Sequence, residues 1–261
     1  MRPHIAAIYA FARAADDFAD EGTDSDSVRL AKLDEWERRL VDGAPDDAIF
    51  VALANTIRAC GLDRQLFVDL LSAFRQDVTV QRYESWNDLL DYCSRSANPV
   101  GRLVLGVAGY RAPAFVASSD ALCTGLQLAN FWQDVERDWQ KGRVYVPQEV
   151  IRAAGARESD LDRRPPATIT HEWRQALRMA VERTRTFFKN GRAIADAVDG
   201  RLKWELRATW LGGVRVLDRL EAAGYDVFAR RPSLGWKDAP AIAVATIAWR
   251  RGGTAGAKPP R

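Results

Sequence analysis

Asn130-Phe-Trp-Gln-Asp134-Val-Glu-Arg-Asp138 is the stretch on which the fold of this chain turns. Residues four apart on an α-helix lie above one another on one face. Asn130, Asp134 and Asp138 therefore form one column, stepped by about 6 Å along the axis. Carboxylates at that spacing repel, which disfavours an isolated helix by a few tenths of a kcal/mol. Such a column is either a solvated acidic face or a set of oxygen donors for a hard cation such as Mg²⁺, which shares its shell with substrate phosphates.

Outward from this stretch the helical period continues. Residues 113–139 read as one long helix ended by Gly142, and Gly142-Arg-Val-Tyr145-Val-Pro147 as a short extended link into a small helix that Pro147 starts. Upstream, helices are predicted over 4–20, 28–41, from Pro45 to Cys60, 63–80, 86–96 and 100–110, with a break at Asn98-Pro99. In the first, Ile5, Ile8, Tyr9, Phe11 and Ala12 form the apolar stripe. Downstream, after a polar loop from Arg157 to Pro166, two long helices are predicted over 168–197 and 201–223, the second with Trp204, Leu211, Val214 and Leu217 inward. A last helix covers 238–250. No β-branched alternation bounded by turns occurs, and no repeat. The expectation is a single all-α domain over residues 1–250, followed by a Gly- and Pro-rich tail, 251–261, predicted to be disordered.

Composition narrows the class. Of 261 residues, 47% are apolar and 28% charged, as in a globular protein. No apolar run reaches membrane-spanning length. The apolar start runs into Asp16-Asp17-Phe-Ala-Asp20-Glu21 without a small-residue cleavage site, so no secretory leader is read there. Cys60, Cys93 and Cys123 lack disulfide or zinc spacing, which points to buried thiols in a reducing cytoplasm. Residues 1–100 hold 11 Lys/Arg against 18 Asp/Glu, a net of −7, whereas residues 201–261 hold 12 against 5, a net of +7. The basic end suits an anionic ligand or a membrane surface; without interleaved aromatics it does not suggest nucleic acid. His4 and His171 have no partner spacing.

The first helix repeats the acidic pattern. Asp16 and Asp20 are an i,i+4 pair with Asp17 and Glu21 beside them, and Arg13 one turn earlier is placed to hold the pair or to contact a phosphate. The alternative is an exposed acidic helix end. Two acidic columns directed into one cavity would hold several Mg²⁺ ions and make a bridging diphosphate a good leaving group.

Asp-Asp-x-x-Asp on an early helix, followed about 110 residues later by Asn-x-x-x-Asp-x-x-x-Asp, resembles the squalene/phytoene synthase family of isoprenoid synthases. Tyr9-Ala-Phe-Ala-Arg13, Gln127, Gly142-Arg-x-Tyr-x-Pro147 and Gly224-Tyr-Asp-Val-Phe228 extend the resemblance over nearly the whole chain. It implies an α-helical isoprenoid synthase fold around an apolar cavity, three Mg²⁺ ions and a prenyl diphosphate substrate. The implied metal ligands are Asp16, Asp17, Asp20, Asn130, Asp134 and Asp138, and of these Asp16, Asp20, Asp134 and Asp138 are the implied catalytic carboxylates. Tyr9, Arg13, Gln127, Arg137 and Arg143 are the implied substrate contacts. Lys141 is either a diphosphate contact or exposed. Phe131 and Trp132 fit core packing better than a cation pocket, and Tyr145 fits either place.

Ser96-Ala-Asn-Pro-Val-Gly101 and Asn130-Phe-Trp-Gln-Asp134 are most similar to the hydroxysqualene synthase branch of hopanoid biosynthesis. Head-to-head synthases more often carry Arg at the place of Gln133 and Tyr at that of Ser94. That branch acts on presqualene diphosphate and adds water. It uses no NADPH, in keeping with the lack of a Gly-x-Gly-x-x-Gly turn after a strand. Condensation of farnesyl diphosphate to squalene, presqualene diphosphate or phytoene is the alternative reaction, and a non-catalytic assembly-factor relative is a third reading. Both motifs are complete, against the pattern expected of the third. The resemblance also implies a first helix ahead of Arg2-Pro-His4 and a cytoplasmic protein, with peripheral contact at the inner membrane face.

Overall fold

The computed structural model describes residues 1–20, 24–162, 168–228 and 231–250, except for the side chain of Asp20. Among the described residues thirteen α-helices follow in chain order: α1 Arg2–Asp20, α2 Asp26–Asp42, α3 Ala48–Cys60, α4 Gln65–Thr79, α5 Trp86–Ser96, α6 Asn98–Val107, α7 Pro113–Gln133, α8 Val135–Gln140, α9 Gln148–Ala153, α10 His171–Gly191, α11 Ile194–Ala197, α12 Gly200–Ala222 and α13 Ala239–Ile247. Among the described residues the only strand-like pairing is an isolated bridge, Arg82 with Val144. The all-α prediction therefore stands. Glu21, the residues 163–167 of the polar loop and the tail 251–261 lie outside the described residues.

The chain forms two compact units. One comprises residues 1–80 and 92–116, and the other residues 81–91 and 117–259. In the first, α1 packs on α2, α3, α4 and α6. Ile8, Phe11 and Ala15 are buried, one turn apart, as an inward helix stripe requires. Phe11 sits at the centre, with ring centroids 5.8 Å from Trp36, 5.9 Å from Phe50 and 5.5 Å from Phe67. Tyr9 departs from the expected stripe. It is 67% exposed, because its position falls on the opposite face, in line with Arg13 and Asp16. Helix α3 begins later than Pro45 suggests: Asp47 is its cap, accepting a 2.8 Å hydrogen bond from the Ile49 N–H.

In the second unit, α12 packs on α10, α11 and α13, and α9 packs on α10. A Cβ on Gly191 would meet the Leu122 backbone nitrogen at 2.6 Å, and one on Gly213 would meet the Phe188 ring at 2.4 Å. Only glycine permits these approaches. Trp132 is fully buried and donates from Nε1 to Thr184 Oγ1 at 2.8 Å. Trp204, expected inward, is 48% exposed. The buried stripe of α12 runs instead through Leu202, Arg207, Gly213, Val216, Leu217 and Leu220. Cys93 is buried and its thiol is pushed up to about 12 by desolvation, whereas Cys60 and Cys123 are only half-buried.

Candidate active site

The opening stretch does not form one continuous helix. The α-helical run stops at Gln133 and resumes at Val135, with Asp134 at φ −105°, ψ 12° between them. This corrects the single helix expected over 113–139. The hydrogen-bond ladder nevertheless crosses the break: Asp134 N–H donates to Asn130 O at 3.0 Å, and Asp138 N–H donates to Asp134 O at 2.9 Å. Asn130, Asp134 and Asp138 thus keep their one-turn spacing, with the helix locally distorted at the middle carboxylate.

That carboxylate has a partner the sequence reading passed over. Arg231 donates from Nε to Asp134 Oδ1 at 2.5 Å and from Nη2 to Asp134 Oδ2 at 2.9 Å. This is the planar two-pronged pairing that only arginine provides. The hydrogen bond to Asp134 raises the pKa of Arg231, and the charge of Asp138 adds to the effect. Arg137 Nη1 stands 3.9 Å from Asp134 Oδ1, but its side chain is mostly in solvent. Arg231 lies outside any helix, 97 residues along the chain, so no periodicity points to it. The available signal was the Arg230-Arg231-Pro232 run just after Gly224-Tyr-Asp-Val-Phe228, inside the basic end of the chain.

The residues after the column are strapped in place. Gly142 turns the chain at φ +78°, and Arg143 N–H donates to Asp138 O at 2.7 Å. Val144 N–H donates to Gln81 O at 3.0 Å and Gln148 N–H to Tyr83 O at 2.9 Å, which holds the predicted extended link against residues 81–83. Tyr145, half-buried, stacks on Phe131 with ring centroids 3.8 Å apart, and Phe131 and Trp132 are core. Arg143 is half-buried beside Asp138, while Lys141 is exposed.

Next to the column lies a cavity of about 640 Å³, lined on one side by Leu126, Ala129, Asn130 and Gln133 of α7. Small residues of α12 and α13, among them Ala208, Gly212, Ala239 and Ala243, form the other side. Its polar lining groups are Asn130, Gln133 and Thr209. The cavity is thus apolar over most of its wall, with its amides on the helix that carries the acids. Gln127 is half-buried one turn before Asn130 and does not line it.

The other acidic group belongs to the first unit. Arg13 reaches Asp16 Oδ2 from Nη1 at 3.1 Å and Asp17 Oδ1 from Nη2 at 2.5 Å, so one guanidinium holds both carboxylates. Tyr9, Arg13, Asp16 and Asp17 lie along one accessible face of α1. The backbone of Asp20 continues that helix, but its side chain is outside the described atoms. His4, which has no partner spacing in the sequence, ties α1 to α3 through Thr56 at 3.1 Å.

Among the described residues no three His, Cys, Asp or Glu side chains are gathered closely enough to hold a metal by themselves. The donors fit a different use. Two carboxylates and an amide oxygen at one-turn spacing match Mg²⁺ that arrives with phosphate oxygens, since Mg²⁺ rarely occupies an all-protein cage.

Helices throughout, an acidic column and an apolar cavity beside it define an isoprenoid synthase fold. The chain belongs to the squalene/phytoene synthase family, whose sequence model matches residues 1–238; members act on prenyl diphosphates. It is 39% identical over 209 residues to the hydroxysqualene synthase of Zymomonas mobilis, covering 78% of this chain and 69% of that one. It is 35% identical over 241 residues to phytoene synthase 3 of Zea mays, covering 88% of this chain but only 55% of that one. Among solved structures, the squalene synthase HpnC of Alicyclobacillus acidocaldarius superposes with a TM-score of 0.79 at 38% identity, covering 86% of this chain and 84% of that one. A dehydrosqualene synthase matches with a TM-score of 0.82 at 21% identity, covering 94% and 86%, which speaks to the fold alone.

Proposed function

We propose that this protein converts presqualene diphosphate to hydroxysqualene and diphosphate. The observation that carries the reading is the juxtaposition of Asn130 and Gln133 with a mostly apolar cavity, on the helix that runs into Asp134 and Asp138. A prenyl diphosphate has the same division, a long apolar body and a multiply charged head. The identity to hydroxysqualene synthases supports the choice within the family.

In this reading the bond between substrate carbon and diphosphate oxygen breaks, and the electron pair leaves with diphosphate. The cyclopropylcarbinyl cation opens its ring. A water oxygen adds to the resulting cation and releases its proton to solvent. No electrons are gained from outside, so no NADPH is needed. Asp16, Asp17, Asp20, Asn130, Asp134 and Asp138 are assigned as the oxygen donors for Mg²⁺. Mg²⁺ held by these residues would neutralise charge on the leaving diphosphate. Arg231 keeps Asp134 paired until the anionic head arrives, and Gln133 holds a water at the cavity wall. Arg13 and Arg143 are assigned to the diphosphate, and Arg137 to the long-range attraction of the anion.

The test is incubation of the purified protein with presqualene diphosphate and Mg²⁺, without NADPH, followed by mass analysis of the product. Hydroxysqualene is expected. The 35% identity to a phytoene synthase favours a second reading, condensation of two prenyl diphosphates. Product from farnesyl or geranylgeranyl diphosphate alone would establish that reading instead.

A further inference from the structure

Helix α13 has the wrong surface for a helix in water. Its nine residues, Ala-Pro-Ala-Ile-Ala-Val-Ala-Thr-Ile, include no charge, yet Val244 is 66% exposed and Ile247 74%. Trp236, just before it, is 81% exposed. A helix apolar on all sides is normally enclosed by protein or lipid. Ala239, Ile242 and Ala243 of α13 line the apolar cavity, so the same short helix contributes to its rim. At about 14 Å long it is far too short to cross a bilayer.

Both ends of α13 are pinned. Asp238 accepts hydrogen bonds from Gly235 N–H at 2.7 Å, Arg219 Nη2 at 2.5 Å and Arg215 Nε at 3.3 Å. At the other end Trp249 donates to Asp196 at 2.8 Å, and the guanidiniums of Arg192 and Arg207 lie 4.0 and 5.4 Å from its ring centroid. Among the described residues the apolar ledge is held in place and left exposed, and little ordering is left to be lost on docking. Exposed Lys237 and Arg250 flank the helix, within a segment, 201–261, of net charge +7. Lys237 Nζ stands 5.7 Å from the Trp236 ring centroid.

We propose that Trp236 and α13 form the surface by which this protein docks on an anionic phospholipid bilayer. The indole takes the interfacial position aromatic side chains favour. Val244 and Ile247 enter the acyl boundary, and Lys237 and Arg250 meet the headgroups. The inference rests on this surface alone and holds whichever prenyl diphosphate the protein processes.

The test is flotation with vesicles of phosphatidylcholine, with and without phosphatidylglycerol. The protein is expected to float with the anionic vesicles and to be released by high salt. The Trp236→Ser/Val244→Ser/Ile247→Ser variant is expected to bind at least about tenfold more weakly while keeping its melting temperature, because the changes are on the surface. Lys237→Glu/Arg250→Glu is expected to lose the preference for anionic vesicles. Flotation needs no turnover, so its result is separate from that of the product assay. The proposal is overturned if the protein stays in solution with both vesicle types, or if the triple variant floats like the parent. It is equally overturned if light scattering shows a dimer that the triple variant converts to monomer, since the ledge would then be a self-contact.

Discussion

Arg231 and Asp134 face each other as a planar pair, Nε to Oδ1 at 2.5 Å and Nη2 to Oδ2 at 2.9 Å, at the point where α7 gives way to α8. The Asp134 side chain is 15% exposed and that of Arg231 33%. Water therefore screens the pair only in part. Removing either partner leaves a charge with less solvation than it had when unfolded.

Asp134→Asn and Arg231→Gln are each expected to destabilise the fold by about 1–2 kcal/mol, below the loss typical of fully buried pairs. Relief of repulsion between Asp134 and Asp138 offsets only a few tenths of a kcal/mol of this. Urea denaturation of both single variants and the double variant should give a coupling energy of about 1 kcal/mol; additive effects would show that the pair contributes nothing. Turnover by Asp134→Asn is expected to fall at least about a hundredfold.

Neighbouring glycines on α12 are expected to separate stability from activity. A Cβ on Gly213 meets Phe188 at 2.4 Å and Leu126 at 2.8 Å, and Phe188 is too enclosed to turn aside. Gly213→Ala should therefore lose about 1–3 kcal/mol despite the better helix propensity of alanine. A Cβ on Gly212 meets only Leu234, at 3.4 Å, and enters the cavity. Gly212→Ala should melt no lower than the parent yet turn over a thirty-carbon substrate more slowly. Unchanged kinetics would place the substrate elsewhere.

Thr184 Oγ1 accepts from the buried Trp132 indole N–H at 2.8 Å, and its hydroxyl in turn donates to Ala180 O at 2.8 Å. Thr184→Val keeps the shape and strands the indole N–H, so chemical denaturation should show a loss of about 1–3 kcal/mol. A loss below a few tenths would mean that the indole finds another partner.

The anchor of α13 carries a pH dependence. The Gly235 N–H, followed by Arg215 and Arg219, lowers the pKa of Asp238. A depressed carboxylate contributes stability above its unfolded pKa of about 3.9 and loses that contribution as pH falls through the lower folded value. The melting temperatures of the parent and Asp238→Asn should therefore differ at neutral pH and converge below about pH 4. A constant difference down to strongly acid pH would contradict the role given to this carboxylate.

Helix positions are legible in the sequence where a stripe and a stop signal coincide, as at Ile8–Phe11–Ala15 and at Gly61 and Gly142. Their failures have local causes. Tyr9 and Trp204 are apolar enough to pass for core, yet each lies on an accessible face; Trp204 is satisfied there by Arg207, 5.6 Å from its ring. The break at Asp134 is invisible because the i→i−4 ladder survives it. The acidic column is legible because its four-residue spacing is local. Arg231 is not, since an ion pair across 97 residues leaves no trace in any window of sequence. The apolar ledge of α13 reads as an ordinary buried helix until its exposure is known.

The central claim is that water captures the cation released from presqualene diphosphate. Its most direct test is turnover of that substrate by the unmodified protein in H₂¹⁸O with Mg²⁺ and no reductant, followed by mass spectrometry of the alcohol. The account predicts hydroxysqualene carrying one ¹⁸O. An unlabelled alcohol, or a hydrocarbon formed only from farnesyl diphosphate, would contradict it.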